Sequence, residues 1–223
     1  MIPLKSDRRI RKVPVATLLL ISVNTTIFFY QATHSNYQFL RDNLALIPFK
    51  VLFSHQPHYY LTLLTYMFLH ANWLHLMANM FYLWIFGSSV EDFVGHLAFV
   101  YYYIICGIGA GVIHSVANPA SLIPTVGASG AISGLLAAYM ILFPSARIVV
   151  LVPIFIFFEV VKVPAYLFIG LWFIYQFIAG FSSLAGESPL GGIAWFAHIG
   201  GFIFGILLLP VFILFRKLFG VKR

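Results

Sequence analysis

Residues 124–143 read PTVGASGAISGLLAAYMILF, and their apolar part, residues 129–143, is too short to cross a lipid bilayer as a helix. A helix over 129–143 spans about 21 Å, whereas the hydrocarbon core of a bilayer is about 30 Å thick. Because Pro144 and Arg147 hold its lower end at one membrane surface, we expect Ser129 to start its helix inside the membrane. The preceding residues 124–128 are then non-helical backbone at membrane depth, which is tolerated only inside protein or beside a water-filled cavity.

The whole chain has the composition of a membrane protein. Of its 223 residues, 61% are hydrophobic and only 9% are charged, and the mean hydropathy is +0.96. A water-soluble enzyme is excluded, because so little polar surface cannot cover a soluble globule. The lone cysteine, Cys106, excludes an intramolecular disulfide. Six apolar segments predict an all-α bundle of six transmembrane helices, over residues 13–33, 73–90, 97–117, 129–143, 166–181 and 192–215.

The basic residues indicate how the chain is oriented. They cluster before the first span and after the last, so the positive-inside rule places both termini in the cytosol and requires an even number of spans. The net charge of +7 thus follows topology, and we expect no nucleic-acid partner. We predict a basic tail over 1–12, a membrane domain over 13–215 and a second basic tail over 216–223. The short tails suggest a prokaryotic plasma membrane.

Two further segments do not read as spans. Residues 148–158 are apolar but only eleven residues long with Pro153 among them, and we predict an interfacial or re-entrant loop. The long first outer loop, residues 33–72, is aromatic and is expected to lie in the outer interface. Its histidines, His55, His58 and His70, have no carboxylate or thiolate beside them, so we predict no metal site. The remaining histidines His34, His96 and His114 are expected at the interface.

Four polar residues lie in predicted spans, where polar side chains are costly. Counting up from the cytosolic helix ends, His75, Ser129 and His198 lie at heights of about 22, 21 and 26 Å, although they belong to three different helices. Asn79, one turn after His75, is about 6 Å deeper on the same helix face. Agreement in depth predicts that these four side chains meet in one layer.

Together these side chains favour a hydrolytic site. A serine becomes a good nucleophile when a neighbouring base takes its proton, and His198 is the candidate base. The free N–H groups at the start of the Ser129 helix, with His75 and Asn79, would form an oxyanion hole. Because every carboxylate is predicted at the cytosolic side or in an outer loop, we infer a Ser–His dyad without a third member. The small residues Gly130 and Gly134, and Ala197, Gly201 and Gly205, have the GxxxG spacing that lets two helices approach closely.

Structural roles remain open for each of these residues taken singly. Small residues in a span are more often packing surfaces, and a buried histidine is more often structural or part of a proton relay. His75 and Asn79 could hold two helices together by hydrogen bonds. A small transporter would also carry midplane polar residues, although the chain has no inverted repeat.

The sequence resembles the rhomboid family of intramembrane serine proteases. The resemblance covers the chain from about Val13 to Leu209 and rests on three motifs in order. The first is HANWLHLMAN from His70 to Asn79. The second is GASG, residues 127–130, and the third is AHIGG, residues 197–201, with Gly205 following. Glu91, close to the end of the second helix, also matches the family.

The resemblance implies a function and assigns roles. Ser129 would be the nucleophile and His198 the general base, in an endopeptidase that needs no cofactor. Its substrates would be transmembrane proteins, cleaved near their outer ends, with small residues at the cut and helix-destabilising residues below it in the membrane. The last outer loop, 182–191, would be a mobile cap and the helix over 166–181 a lateral gate. The oxyanion and substrate would be held by His75, Asn79, Gly127, Ala128 and the Ser129 N–H, while His70, Gly130, Gly201, Gly205 and Trp195 would be structural residues near the site.

Two positions depart from the family pattern. Some members carry a Trp–Arg pair in the first loop where this chain has Tyr59 and Tyr60, and many carry an aromatic residue where it has Ser133. We expect Trp195 or another ring to orient His198 instead. The alternative function is a catalytically inactive rhomboid-like protein that binds transmembrane segments. The natural substrate and the oligomeric state do not follow from the sequence.

Overall fold

The computed structural model describes residues 2–33, 37–154, 157–184 and 193–218, and these residues are mostly helical. The helices are α1 (Val15–Thr33), α2 (Tyr37–Leu44), α3 (Pro48–Phe53), α4 (Pro57–Thr65), α5 (Trp73–Tyr82), α6 (Ser88–Val94), α7 (His96–Ala117), α8 (Ser129–Leu142), α9 (Ala165–Leu184) and α10 (Trp195–Leu218). The strands are β1 (Ile2–Ser6), β2 (Arg147–Ile154) and β3 (Phe157–Pro164).

The chain is a membrane protein, and among its described helices four are long and apolar enough to cross a bilayer: α1, α7, α9 and α10. The second predicted span is helical from Trp73 to Val94 but is divided, since a π-helical turn over Leu83–Gly87 joins α5 to α6. The fourth predicted span is α8, which has only 14 residues and is about 21 Å long. As expected, residues 124–128 before α8 are not helical.

The prediction of an all-α fold with a loop over 148–158 was wrong. Residues 147–154 and 157–164 form an antiparallel hairpin, and β1 pairs with β2 to complete a three-stranded sheet in the order β1-β2-β3. The hairpin is rich in valine and isoleucine, which favour strands because their branched side chains fit a pleated surface. The inner side chains of β2, Ile148 and Val150, are fully buried.

The N-terminal segment, predicted as a basic tail, packs against the helices. Strand β1 pairs with residues that lie about 145 positions later, with Ser6 opposite Ile148. The Asp7 carboxylate accepts a hydrogen bond from the Arg147 N–H, and the Ser6 and Tyr139 hydroxyls are hydrogen-bonded. The segment is therefore ordered by contacts with β2 and α8.

Helix α8 lies in the middle of the molecule, and all its residues from Gly130 to Tyr139 are buried. It packs against α10 so closely that a Cβ built on Gly201 would lie 1.9 Å from the Gly130 carbonyl oxygen. One turn further along, a Cβ on Gly205 would lie 2.6 Å from the Gly134 carbonyl oxygen. The GxxxG spacing thus brings the two helices into backbone contact, as predicted.

The long first loop contains α2, α3 and α4 and ends in a short 3-10 turn over Tyr66–Phe68. An isolated antiparallel bridge joins Leu46 in this loop to Thr125, just before α8. Lys50 lies over the Tyr59 ring, with Nζ 5.2 Å from the ring centroid, whereas Tyr60 is exposed. The loop is thus held by helix packing and by its bridge to the backbone before α8.

Candidate active site

Ser129 and His198 lie in hydrogen-bond contact. Ser129 is the first residue of α8 and His198 is in the first turn of α10, and Ser129 Oγ is 2.8 Å from His198 Nε2. Both residues are partly exposed. The contact follows from the glycine packing of α8 against α10. Because the two backbones approach closely, the Ser129 and His198 side chains can meet at the starts of these helices. This is the geometry that a serine nucleophile and its base require.

A third residue, which sequence reasoning missed, holds the other side of the imidazole. Gln176 of α9 is buried, and its Oε1 is 2.7 Å from His198 Nδ1. An amide oxygen can only accept, so Nδ1 carries the proton and Nε2 is left as the acceptor facing Ser129. The sequence held a signal for Gln176, because it is an amide in the middle of an apolar span, where polar residues are costly.

Two tryptophan rings border the histidine. Trp172, one turn before Gln176 on α9, has its ring centroid 5.9 Å from that of His198, with an interplanar angle of 38°. Trp195 is 6.5 Å away and perpendicular, at 89°. Trp195 therefore lies beside His198 as predicted, but Trp172 is nearer. Ser133 stands where many members of the resembled family carry an aromatic residue. Its hydroxyl instead donates a hydrogen bond to the Ser129 carbonyl oxygen at 2.7 Å.

Two polar side chains of α5, His75 and Asn79, line the same cavity as Ser129. Asn79 is only 6% exposed, and its amide Nδ2 has no hydrogen-bond partner among the described residues. Gly127 has φ +126°, and a Cβ there would lie 2.7 Å from the His75 ring and 3.5 Å from Asn79 Nδ2. Only glycine suits this position, because the φ angle and the space both exclude a side chain. The predicted residues His75, Asn79 and Gly127 are thus brought together.

The backbone N–H groups of α8 complete this side of the site. The N-cap residue is Ala128, whose methyl group cannot accept a hydrogen bond, so the first N–H groups of α8 are not capped by its own side chain. Across the site, the Asn72 side chain caps α5 by accepting from the His75 N–H at 2.9 Å. That cap fixes the start of α5 and with it the position of His75.

The segment before Ser129 is anchored by hydrogen bonds rather than by secondary structure. Thr125 and Leu46 exchange two backbone hydrogen bonds of 2.8 and 3.0 Å, and the Gly127 N–H donates to the Tyr66 carbonyl oxygen at 3.0 Å. The Thr125 hydroxyl is 3.0 Å from His114 Nε2. His114, predicted at the interface, is buried within the protein and supports this segment.

A cavity of about 510 Å³ opens between these groups. It is bordered by α5, the 124–126 segment, α8, α9 and the start of α10. Its polar lining is provided by Asn72, His75, Asn79, Thr125, Ser129, Ser133 and His198, and its apolar lining includes Tyr82, Leu136 and Trp172. The cavity has room for an extended peptide segment beside the serine.

The predicted structural residue His70 is fully buried beside this site. Its N–H donates to Gln31 Oε1 at 3.2 Å, and its ring centroid is 5.3 Å from that of His75. Burial, with a smaller contribution from His75, lowers the pKa of His70 to about 3, so its ring is neutral at ordinary pH. Among the described residues no three histidine, cysteine or acidic side chains are grouped to hold a metal ion.

Glu91 has a structural position far from the serine. Its buried carboxylate accepts hydrogen bonds from the Ala16 N–H at 2.8 Å, the Thr17 N–H at 2.7 Å and the Thr17 hydroxyl at 2.6 Å. His96, predicted at the interface, is also paired with it through Nδ1. Glu91 therefore caps the N-terminus of α1. The predicted cap loop over 182–191 lies, apart from its first three residues, outside the described residues.

Comparison with known proteins gives a consistent result. A family model described as Rhomboid domain matches residues 57–216. Rhomboid-like protein 11, chloroplastic, from Arabidopsis thaliana is 40% identical over 86 residues, which are 39% of this chain and 30% of that protein. Rhomboid protein 1, mitochondrial, from Saccharomyces cerevisiae is 32% identical over 145 residues, which are 63% of this chain and 38% of that protein.

A mammalian protein extends the comparison. Presenilin-associated rhomboid-like protein, mitochondrial, from Mus musculus is 36% identical over 93 residues, which are 40% of this chain and 25% of that protein. The chain spans well under half the length of each of these three relatives. Because their names are chloroplastic or mitochondrial, they do not support the expected prokaryotic plasma membrane.

Proposed function

The chain belongs to the rhomboid family, and we propose that it is an intramembrane serine endopeptidase with Ser129 as nucleophile and His198 as general base. The observation that carries the proposal is the 2.8 Å contact between Ser129 Oγ and His198 Nε2 at the edge of a cavity that can hold a peptide. The proposed substrates are transmembrane proteins, which reach the cavity from the lipid.

In the first half of the reaction, Ser129 Oγ attacks the carbonyl carbon of the scissile peptide bond and its proton passes to His198 Nε2. The negative charge that develops on the carbonyl oxygen is held by Asn79 Nδ2, the His75 ring and the Ser129 N–H. The buried Asn79 amide supports this role, because its Nδ2 has no partner among the described residues and such a donor is costly unless a ligand supplies the acceptor. The C–N bond then breaks, His198 protonates the leaving amine, and an acyl-enzyme ester forms.

In the second half, water attacks the ester carbonyl while His198 takes its proton. The tetrahedral intermediate collapses, Ser129 Oγ regains its proton from His198, and the new carboxyl terminus leaves. Throughout both halves Gln176 Oε1 accepts a hydrogen bond from the Nδ1–H of His198 and stabilises the imidazolium that forms after each proton transfer to Nε2. Gln176 thereby occupies the place of an orienting third member that the dyad hypothesis left empty.

We also propose the membrane arrangement. Counting the divided helix from Trp73 to Val94 and the short helix α8 with the four long ones gives six spans. The basic N-terminal segment and Arg216 then lie on the cytosolic side, and the serine faces the extracytoplasmic side. Substrates are cut near their outer ends, with α9 as the lateral gate through which they enter.

The test is cleavage of a labelled transmembrane substrate by the purified full chain in detergent. We expect product from the wild type and essentially none from Ser129→Ala or His198→Ala, because removing either member of the pair removes the activated nucleophile. Ser145→Ala, which changes an exposed serine beyond the far end of α8 and outside the cavity, is the matched control and is expected to cleave normally.

The outcomes separate the proposed protease from its alternatives. Cleavage by Ser129→Ala at the wild-type rate would overturn the proposal. Binding of the substrate without cleavage, by a wild type whose thermal unfolding is cooperative, would instead support an inactive rhomboid-like protein that binds transmembrane segments.

A further inference from the structure

A cleft rich in arginine lies at the end of the molecule opposite the serine. It has a volume of about 900 Å³ and lies where α6 and α8 end and α10 completes its last turns. Its charged lining consists of five cationic side chains and one carboxylate, from Arg8, Arg9, Arg11, Lys12, Arg216 and Asp92. We refer to it as the basic cleft.

The single carboxylate of the basic cleft is already used to hold the cleft together. Asp92 Oδ1 accepts hydrogen bonds from the Arg11 and Lys12 N–H groups, both at 3.1 Å. Asp92 Oδ2 is paired with Arg8 Nη2 at 3.2 Å. Asp92 therefore fixes the N-terminal segment against α6 and compensates one cation, whereas four cationic side chains of the cleft have no ion pair among the described residues.

Two of the arginines are also oriented by aromatic rings. The Arg8 guanidinium lies 3.6 Å from the centroid of the Phe143 ring, just beyond the end of α8. The Arg216 guanidinium lies 4.0 Å from the centroid of the Phe93 ring, near the end of α6. Stacking of this kind leaves the edge of a guanidinium free to donate hydrogen bonds. The basic cleft thus presents planar donors suited to a phosphate group.

An apolar groove adjoins the basic cleft. It has a volume of about 400 Å³ and lies between α8 and α10, where it is lined by Ile141, Ile206, Leu209, Pro210, Ile213, Leu214 and Lys217. Ile141 and Lys217 of the groove are the sequence neighbours of Leu142 and Arg216, which line the cleft. A ligand that fills both sites must have an anionic head and an apolar chain.

We propose that the basic cleft and the apolar groove together bind one anionic phospholipid, with its phosphate in the cleft and an acyl chain along the groove. The cleft lies where the apolar helices α8 and α10 end, beside exposed apolar side chains of α10 such as Val211 and Leu214. Basic pockets between transmembrane helices on the positively charged side of a membrane protein are suited to such head groups. The proposal does not depend on the proposed protease activity.

The test is native mass spectrometry of the full chain in detergent with equal amounts of phosphatidylglycerol and phosphatidylcholine. We expect the wild type to retain one phosphatidylglycerol in preference to phosphatidylcholine. In Arg9→Gln/Arg11→Gln/Arg216→Gln we expect the affinity for phosphatidylglycerol to fall by about a hundredfold, because each basic side chain near an anionic lipid contributes roughly fivefold.

The matched control removes three charges from the same end of the molecule but outside the cleft, as Lys5→Gln/Arg147→Gln/Lys162→Gln. It is expected to bind phosphatidylglycerol like the wild type, and an equal loss in both variants would overturn the proposal. Equal retention of the two lipids by the wild type would also overturn it. Displacement of the lipid by inorganic phosphate would show a site for the free anion and contradict the lipid assignment. Should the triple variant lose cooperative thermal unfolding, Arg216→Gln alone is compared with Lys162→Gln.

Discussion

Gln176 determines what His198 can do, because the two nitrogens of an imidazole have different roles. With Gln176 Oε1 2.7 Å from Nδ1, the neutral ring keeps its proton there and offers Nε2 to Ser129. Without that acceptor, the tautomer with the proton on Nε2 becomes accessible, and this tautomer cannot take a proton from the serine. Gln176 is therefore a positioning residue that acts through His198.

Replacing Gln176 tests this role. In Gln176→Leu we expect kcat for a transmembrane substrate to fall about tenfold to a hundredfold, which corresponds to the loss of a hydrogen bond to a group that becomes charged. KM is expected to change little, because Gln176 does not line the cavity. Gln176→Glu, which keeps an acceptor, should recover most of the rate. Equal loss in both variants, with an unchanged melting temperature, would rule out the positioning role.

At the scale of elements, the site depends on how closely α8 and α10 approach. The glycine contacts bring the two backbones together, with the Gly130 and Gly134 carbonyl oxygens facing Gly201 and Gly205. Tyr102 of α7 adds to them, because its hydroxyl donates to the Gly205 carbonyl oxygen at 2.6 Å and lies 3.2 Å from that of Gly134. The position of His198 relative to Ser129 is thus set by backbone contacts at Gly201 and Gly205, one and two turns further along α10.

Gly201→Ala tests this dependence. The added methyl carbon would lie 1.9 Å from the Gly130 carbonyl oxygen, so the two helices must separate. We expect a lower melting temperature and a loss of activity of about a hundredfold, which is typical when reacting groups are displaced by about 1 Å. Gly170→Ala is the matched control, since a Cβ there meets nothing within 4 Å, and it should be as active and at least as stable as the wild type. Wild-type activity in Gly201→Ala would contradict this account of α8 and α10.

Prediction from sequence succeeded where helix length alone decides the outcome. Counting residues along the predicted helices indicated that Ser129 and His198 lie in one layer, and Ser129 Oγ is 2.8 Å from His198 Nε2. The three-stranded sheet was missed because β1 pairs with residues about 145 positions away, and no local pattern carries that pairing. Gln176 was missed because its partner depends on the packing of α9 against α10.

At the scale of the whole molecule, the two ends have different chemistry. The end that holds Ser129 has a cavity lined by neutral polar groups, whereas the opposite end has the arginines of the basic cleft. The same two helices, α8 and α10, contribute to both ends. Ser129 and His198 lie in their first turns, and their last turns border the basic cleft. A lipid held at the basic cleft would therefore stabilise the helix pair that also positions the serine and the histidine.

We propose that Ser129 is a base-activated nucleophile in a cavity open to a substrate. The most direct measurement is to label the purified full chain with a fluorophosphonate and to locate the adduct by peptide mass spectrometry. We predict a single adduct on Ser129 that is lost in Ser129→Ala and strongly reduced in His198→Ala. An adduct on another residue, or equal labelling of Ser129 in His198→Ala, would contradict the account.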